Sequence, residues 1–223
     1  AIVGTGAVGQ AILDVLAERN YPINNLKLLA TSRSAGKEVT YQGQVYTIEE
    51  TAAESFEGID VAFFAGGAAS KLFAEEAVKR GAIVIDNSST FRLDPKVPLV
   101  VPEVNPEDVK SHQGIIANPN CSTIQMVVAL KPLYDAAKIT RIIVSTYQAV
   151  SGAGQEAMDE LILQSQQVLN SEEVCPEIFP YPIAFNLIPQ IDVFMDNDYT
   201  KEEMKMVDET KKIFHDNDLA ITA

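Results

Sequence analysis

The run Asp60-Val61-Ala62-Phe63-Phe64-Ala65, ending at Gly66-Gly67, constrains the fold of this chain more than any other segment. After Asp60 it is apolar without alternation. A strand with one wet face alternates apolar and polar residues, whereas a strand covered on both faces does not. Such a strand calls for a parallel sheet with helices on either side. The neighbouring segments keep that rhythm. Ile2-Val3 leads through glycines into a helix near Val8 to Glu18, and Leu26 to Ala30 is a second strand. Lys71 to Arg80 is a helix closed by Gly81 as its C′ residue, and Ala82 to Ile85 is another buried strand. Ile115-Ile116-Ala117 is a further strand, and Thr123 to Ala137 is the helix after it. The fold class is therefore α/β, a doubly wound sheet, and ligands of such sheets gather at the carboxyl ends of the strands.

The rest of the chain reads differently. Thr140 to Val150 is a long strand, Ser151-Gly152-Ala153-Gly154 a turn, and Gln155 to Leu169 an amphipathic helix. Pro176 to Pro189 holds four prolines and is a loop. A helix starts at Thr200 and runs to about His215, and Ala220 to Ala223 opens a further strand. A boundary near Asn118 to Cys121 gives two domains, residues 1–120 and 121–223.

Charge and cysteine usage exclude several classes of function. Lys plus Arg number 17 against 31 Asp plus Glu, a formal charge of −14. Nucleic-acid binding needs a basic footprint and is not expected. A small anionic substrate would need a local basic pocket. Two cysteines, Cys121 and Cys175, make no disulfide framework, so a reducing, cytoplasmic compartment is expected. No apolar run reaches the roughly 18 residues that a membrane helix needs, and neither a membrane span nor a signal peptide is expected. The chain begins inside a strand without an initiator Met, so residues before Ala1 are expected.

Three segments carry chemistry. Gly4-Thr5-Gly6-Ala7-Val8-Gly9 fits G-x-G-x-x-G between a strand and a helix. Its glycines allow a tight turn and let a pyrophosphate approach the helix N-terminus. The same pattern without a ligand is simply a tight strand–helix turn. An NAD site usually places a carboxylate at the end of the second strand, for the ribose hydroxyls. Here that strand ends in Thr31-Ser32-Arg33-Ser34, and the next carboxylate is Glu38. Hydroxyls with Arg33 suit a 2′-phosphate, which favours NADP; alternatively Arg33 and Lys37 belong to a solvated loop. Finally, Asn118-Pro119-Asn120-Cys121-Ser122-Thr123 puts a cysteine where a helix opens. Unpaired backbone N–H groups and the helix dipole favour negative charge there, and the thiolate is the nucleophilic form of cysteine. The competing reading of Cys121 is a small buried residue at a helix N-cap.

Together these segments resemble the bacterial aspartate-semialdehyde dehydrogenases. The resemblance also rests on Ser32-Arg33-Ser34-Ala35-Gly36-Lys37, Val97 to Asn105, Ser145 to Gly154 and Asn186 to Asp192, and covers essentially the whole chain in order. It implies a dinucleotide-binding domain followed by an α+β catalytic and dimerisation domain of the glyceraldehyde-3-phosphate dehydrogenase type. It implies reduction of aspartyl phosphate to aspartate 4-semialdehyde by NADPH, with release of phosphate, in the biosynthesis of lysine, threonine and methionine. Cys121 is then the nucleophile that forms a thioacyl enzyme, and Gln148 orients the reacting group. Arg92 and Asn120 hold the phosphate, Glu203 meets the substrate's amino end, and Lys205 helps with the phosphate. Gly4, Thr5, Gly6, Ala7, Val8, Thr31, Ser32, Arg33, Ser34, Ser151 and Gly152 bind NADP. No metal is implied, and the expected assembly is a homodimer.

Each of these roles has a plainer counterpart. Gln148 could cap a sheet edge, Arg92 could be a surface arginine, and Lys205 could lie on a solvated face. Thr200-Lys201-Glu202-Glu203 is a capping box, so Glu203 could merely reach back to the N–H of Thr200. The family's general-base His and carboxylate-binding Arg belong to a C-terminal region absent from this sequence. Its two histidines, His112 and His215, lie outside that motif. One residue is missing between Gly4 and Gly6 relative to the family pattern, and the join at Phe179 to Pro182 is short. These shortfalls point to segments of a longer chain. Two other functions fit the residues: an N-acetyl-glutamyl-phosphate reductase, and a non-catalytic NADPH-binding fragment.

Overall fold

A computed structural model describes all 223 residues. In chain order the elements are β1 (Ile2–Val3), α1 (Ala7–Glu18), β2 (Leu28–Ala30), β3 (Glu38–Tyr41), β4 (Gln44–Thr47), β5 (Glu49–Glu50), β6 (Val61–Phe64), α2 (Gly67–Lys79) and β7 (Ile83–Asp86). They continue with β8 (Ile115–Ala117), α3 (Cys121–Ala137), β9 (Arg141–Ile143), α4 (Gln155–Leu169), α5 (Lys201–Phe214) and β10 (Ala220–Thr222).

Six strands form one sheet in the order β5-β2-β1-β6-β7-β8, and every pair is parallel. Successive residues of a strand face opposite sides. Ile2 and Leu28 accordingly pack with Leu13 and Leu16 of α1. Val3, Leu29 and Phe64 join Ala74 and Ala77 of α2, Val127 of α3 and Ile213 of α5. The unbroken apolar run at β6 is thus explained: Phe64 is fully buried in the second cluster and Phe63 packs against the first.

The register sets up the functional edge. Leu29, Val3, Phe64, Asp86 and Ala117 stand in one row across the sheet. From β8 to β1 is three strand spacings, about 14 Å. Beyond that row lie the glycine loop after β1, Thr31 to Ser34 after β2, Asn87-Ser88 after β7 and Asn118 to Asn120 after β8. All the polar clusters therefore open on one edge.

The chain divides into two compact units, Ala1–Ile142 with Lys205–Ala220, and Ile143–Met204 with Ile221–Ala223. This differs from the expected cut after residue 120. Two contacts explain why α3 and most of α5 go with the sheet. Glu209 of α5 accepts from the N–H of Asn120, and the Lys212 ammonium donates to the carbonyls of Arg92, Asp94 and Val97.

Other differences are local. β9 spans Arg141–Ile143 rather than Thr140 to Val150, because its ladder partner β10 is three residues long. Val150–Ala153 forms a 3-10 turn. The hairpin β3–β4 turns at Gln42-Gly43, both at positive φ, a feature absent from the sequence reading. α2 opens at Gly67, ahead of Lys71, with extended Gly66 as its N-cap. Pro176 to Pro189 contains neither helix nor strand, as expected. No helix is long and apolar enough to cross a membrane.

Candidate active site

The glycine loop comes first. Gly4 has φ +98°, which disfavours any residue with a side chain. Gly9 is buried in α1, and a Cβ on it would lie 1.9 Å from the Gly4 carbonyl oxygen. Helix and strand therefore meet backbone to backbone. Gly6 is the N-cap of α1 and offers no side-chain cap; a Cβ there would meet nothing within 4 Å. The first-turn N–H groups of α1, beside Ala7 and Val8, thus face an open edge suited to a phosphate. After β2, the Thr31 carbonyl accepts from the N–H of Ser34 and of Ala35, which turns Thr31, Ser32 and Arg33 outward as exposed residues. Glu50 of β5 is paired with Ala30, so a carboxylate stands on the neighbouring strand although none follows β2 itself. That carboxylate has no signal in the sequence without the β2–β5 pairing.

Cys121 is the first residue of α3 and is exposed. Asn120 is its N-cap, and the Asn120 Oδ1 accepts from the N–H of Ser122 at 2.9 Å and of Thr123 at 3.3 Å. Cys121 is therefore not the N-cap residue, and its sulfur is not buried. The segment before it is held from below. Arg92, itself buried, donates from Nε to the Asn118 carbonyl (2.9 Å), from Nη2 to the Asn87 carbonyl (3.0 Å) and from Nη1 to Glu209 Oε1 (3.1 Å). That engages three of a guanidinium's five N–H donors. Glu209 Oε2 accepts from the Asn120 N–H at 2.6 Å. Burial pushes the Glu209 carboxyl above its usual range, while Arg92 and the Asn120 N–H pull it down; burial wins.

Arg92 is thus no surface arginine. Its Thr90-Phe91-Arg92-Leu93 loop is fixed by Lys212, whose ammonium meets three carbonyls at 2.7–2.8 Å. Below it, buried Asp86 accepts from Ser70 Oγ, Ser88 N–H and Ser88 Oγ, and the Asn118 amide donates to Asn87 Oδ1.

In the second unit, Gln148 Nε2 lies 3.2 Å from Thr146 Oγ1 and 3.4 Å from Glu202 Oε1. Glu203 makes both capping-box bonds: the Thr200 N–H donates to its Oε2 at 2.6 Å, and its own N–H donates to Thr200 Oγ1 at 3.3 Å. Buried Glu202, not Glu203, is the carboxylate beside Gln148. The structure places Glu203 in the cap because the N3 carboxylate turns back to the N-cap residue, leaving its neighbour on another face. Lys205 is half-buried, three residues beyond Glu202 on α5. Ser151 and Gly152 lie in the 3-10 turn before α4. Of the two histidines, His112 Nδ1 accepts from the Gly114 N–H and His215 pairs with Asp108.

Sequence reading missed Glu202, Glu209 and Lys212. The signal for Glu209 was present: it shares the buried stripe of α5 with Met206, Thr210 and Ile213, and a carboxylate there needs a buried partner.

The fold and the site define the class: a dehydrogenase with a dinucleotide-binding sheet and a cysteine at its carboxyl edge. Residues 1–112 match the semialdehyde dehydrogenase NAD binding domain, and residues 130–223 match the semialdehyde dehydrogenase dimerisation domain. The chain belongs to the aspartate-semialdehyde dehydrogenase family. It is 59% identical over 232 aligned positions to that of Bacillus subtilis, covering 100% of this chain and 67% of the relative. It superposes with a TM-score of 0.94 on aspartate semialdehyde dehydrogenase II of Vibrio cholerae complexed with ASA, at 50% identity, covering 99% of this chain and 67% of that one. A more distant structure, that of the Candida albicans enzyme with NADP, matches with a TM-score of 0.70 at 25% identity, over 100% of this chain and 65% of the other. The chain thus spans about two thirds of the length of these relatives.

Proposed function

We propose that the chain performs the covalent step of aspartyl phosphate reduction through Cys121, with NADP as its cofactor. The observation that carries this reading is the exposed thiol at the first position of α3, on a main chain fixed by Arg92 and Glu209. The Cys121 thiolate attacks the acyl carbon, the C–O bond to phosphate breaks, and phosphate leaves with the bonding electrons. NADPH, when bound, supplies the hydride that reduces the thioester. Collapse of the reduced adduct breaks the C–S bond, releases the aldehyde and returns the thiolate. Dividing the transfer this way replaces one difficult step by two easier ones.

The remaining residues position the substrate. Arg92 has donor capacity left for the departing phosphate, and Lys205 adds a second cation. Asn120 holds the helix terminus on which Cys121 sits. Glu202, beside Gln148, takes the ammonium of the substrate, and Glu203 serves the helix cap. Gly4, Thr5, Gly6, Ala7 and Val8 receive the pyrophosphate, and Arg33 with Thr31, Ser32 and Ser34 receives the 2′-phosphate. Support for NADP comes from the exposed Arg33 turn and from the NADP complex of the Candida albicans relative. The second unit exposes Ile143, Tyr147, Leu169, Phe185, Leu187 and Phe194, apolar area suited to a homodimer face.

The test is Cys121→Ser. Nearly isosteric, it should leave the thermal melt unchanged and abolish NADPH turnover. Near-parental turnover in the serine variant would remove Cys121 from the mechanism.

A further inference from the structure

We propose that Glu209 is a positioning residue for the reaction: its carboxylate holds the Asn120 N–H and the Arg92 guanidinium at once, and so sets where Cys121 presents its thiol. The inference rests on the reading of Cys121 as nucleophile.

The geometry is economical in donors and acceptors. Pro119 has no N–H, so the Asn118 to Asn120 segment offers two. The Asn118 N–H goes to the Asp86 carbonyl at 2.8 Å, and the Asn120 N–H goes to Glu209 Oε2 at 2.6 Å. On the other side of Pro119, the Asn118 carbonyl accepts from Arg92 Nε. Arg92 and Glu209 are themselves joined through Nη1 and Oε1. One ion pair therefore grips the segment at a carbonyl with its cation and at an N–H with its anion. The next residue is Cys121. Glu209 reaches this point from α5, 89 residues away in sequence, and its side chain is 2% exposed.

Stability alone is a poor reason for such a pair. A buried ion pair is often matched or exceeded by apolar residues of similar volume. An apolar pair would, however, leave the Asn118 carbonyl and the Asn120 N–H without partners. The pair also meets the substrate's needs. Arg92 approaches an anionic substrate with its guanidinium plane already fixed by Glu209, and reorganisation at the moment of reaction is avoided.

The variant is Glu209→Gln in the full-length enzyme. The amide has one acceptor oxygen, so its NH2 must confront either Arg92 or the Asn120 N–H. Misplacement of a reacting group on the ångström scale costs on the order of 100-fold, and kcat should fall by at least about 10-fold. The alkylation rate of Cys121 by iodoacetamide, read at peptide level, should change by roughly threefold or more. Cys175, an exposed thiol in the other unit, should react as in the parent and serves as internal control. Loss of folded fraction alone would leave kcat per folded molecule, counted by circular dichroism, unchanged. Parental alkylation of Cys121 together with parental kcat per folded molecule overturns the proposal. If Glu209→Gln does not fold, amide hydrogen exchange on the parent decides. The Asn120 N–H should be strongly protected, and exchange at the rate of an exposed loop overturns the clamp. Turnover in Cys121→Ser would instead sink the nucleophile reading, leaving the alkylation and exchange results to stand by themselves.

Discussion

Lys212 offers the sharpest test of how the Arg92 loop is held. Its ammonium donates to the carbonyls of Arg92 and Asp94 at 2.7 Å and of Val97 at 2.8 Å. An ammonium has three donors, and all three are used. Lys212→Met keeps most of the stem and removes the donors. Three carbonyls then lose a partner, at about 1 kcal/mol net each. Water that reaches the partly exposed site re-pairs some of these carbonyls and restores about 1 kcal/mol. The expected loss is thus about 2 kcal/mol. With an m-value of about 2 kcal/mol per molar, the urea midpoint should drop by about 1 M at fixed protein concentration. Burial holds the Lys212 ammonium below the ordinary lysine value of 10.5, while Asp94 and Asp108 pull it up. Between the lowered folded value and 10.5 the unfolded chain binds more protons. The contribution of Lys212 to stability therefore rises with pH through that window, and is lowest below it. A midpoint shift under about 0.3 M with unchanged slope would show that the carbonyls find water instead, and the account of the loop would fail.

Further outcomes follow from the glycine loop, the Arg33 turn and α5. Gly9→Ala forces a Cβ to within 1.9 Å of the Gly4 carbonyl oxygen; overpacking of about 3 kcal/mol should exceed the roughly 1 kcal/mol gained in helix propensity, read as a lower Tm. Gly6→Ala, with nothing within 4 Å and φ −74°, should keep the Tm and weaken NADPH binding in calorimetry. Arg33→Ala should weaken NADPH by roughly 1.5–3 kcal/mol and hardly change NADH; equal parental affinities for the two cofactors would contradict the NADP assignment. If Glu202 takes the substrate ammonium as proposed, Glu202→Gln should raise the KM for aspartate semialdehyde and leave that for phosphate nearly unchanged. Glu203→Gln should alter neither constant and move the Tm little, since Gln serves the same capping role; the opposite ranking of the two variants would return the substrate role to Glu203.

The sheet was legible because parallel strands buried on both faces read as short continuous apolar runs, here bounded by glycines. The Val61-Ala62-Phe63-Phe64 run, the glycines after β1 and the Gly81 that ends α2 each follow from local chemistry, and each appears where the sequence places it. β9 is shorter than the alternation in Thr140 to Val150 predicts, because alternation reports only a preference for extended backbone. Strand assignment also requires a partner, and β10 supplies one for only part of that stretch. The β3–β4 hairpin went unread although Gln42-Gly43 has the positive φ of a tight primed turn.

Within the site, the residues that were legible are those whose chemistry is local. Cys121 owes its setting to a strand end, a proline and an N-cap, all within four positions. The residues that were missed act at a distance. Glu209 and Lys212 reach back from α5 over 89 and more positions to fix Asn120 and the Arg92 loop. Spacing along a helix shows which side chains share a face; it does not show what lies opposite. Glu202 and Glu203 make the same point at closest range. The capping box identifies a carboxylate at N3, and the sequence reading gave that carboxylate the substrate as well. One carboxylate cannot return to Thr200 and also stand beside Gln148. Adjacent positions on a helix diverge by about 100°, so the box that holds Glu203 at the terminus is what directs Glu202 toward Gln148.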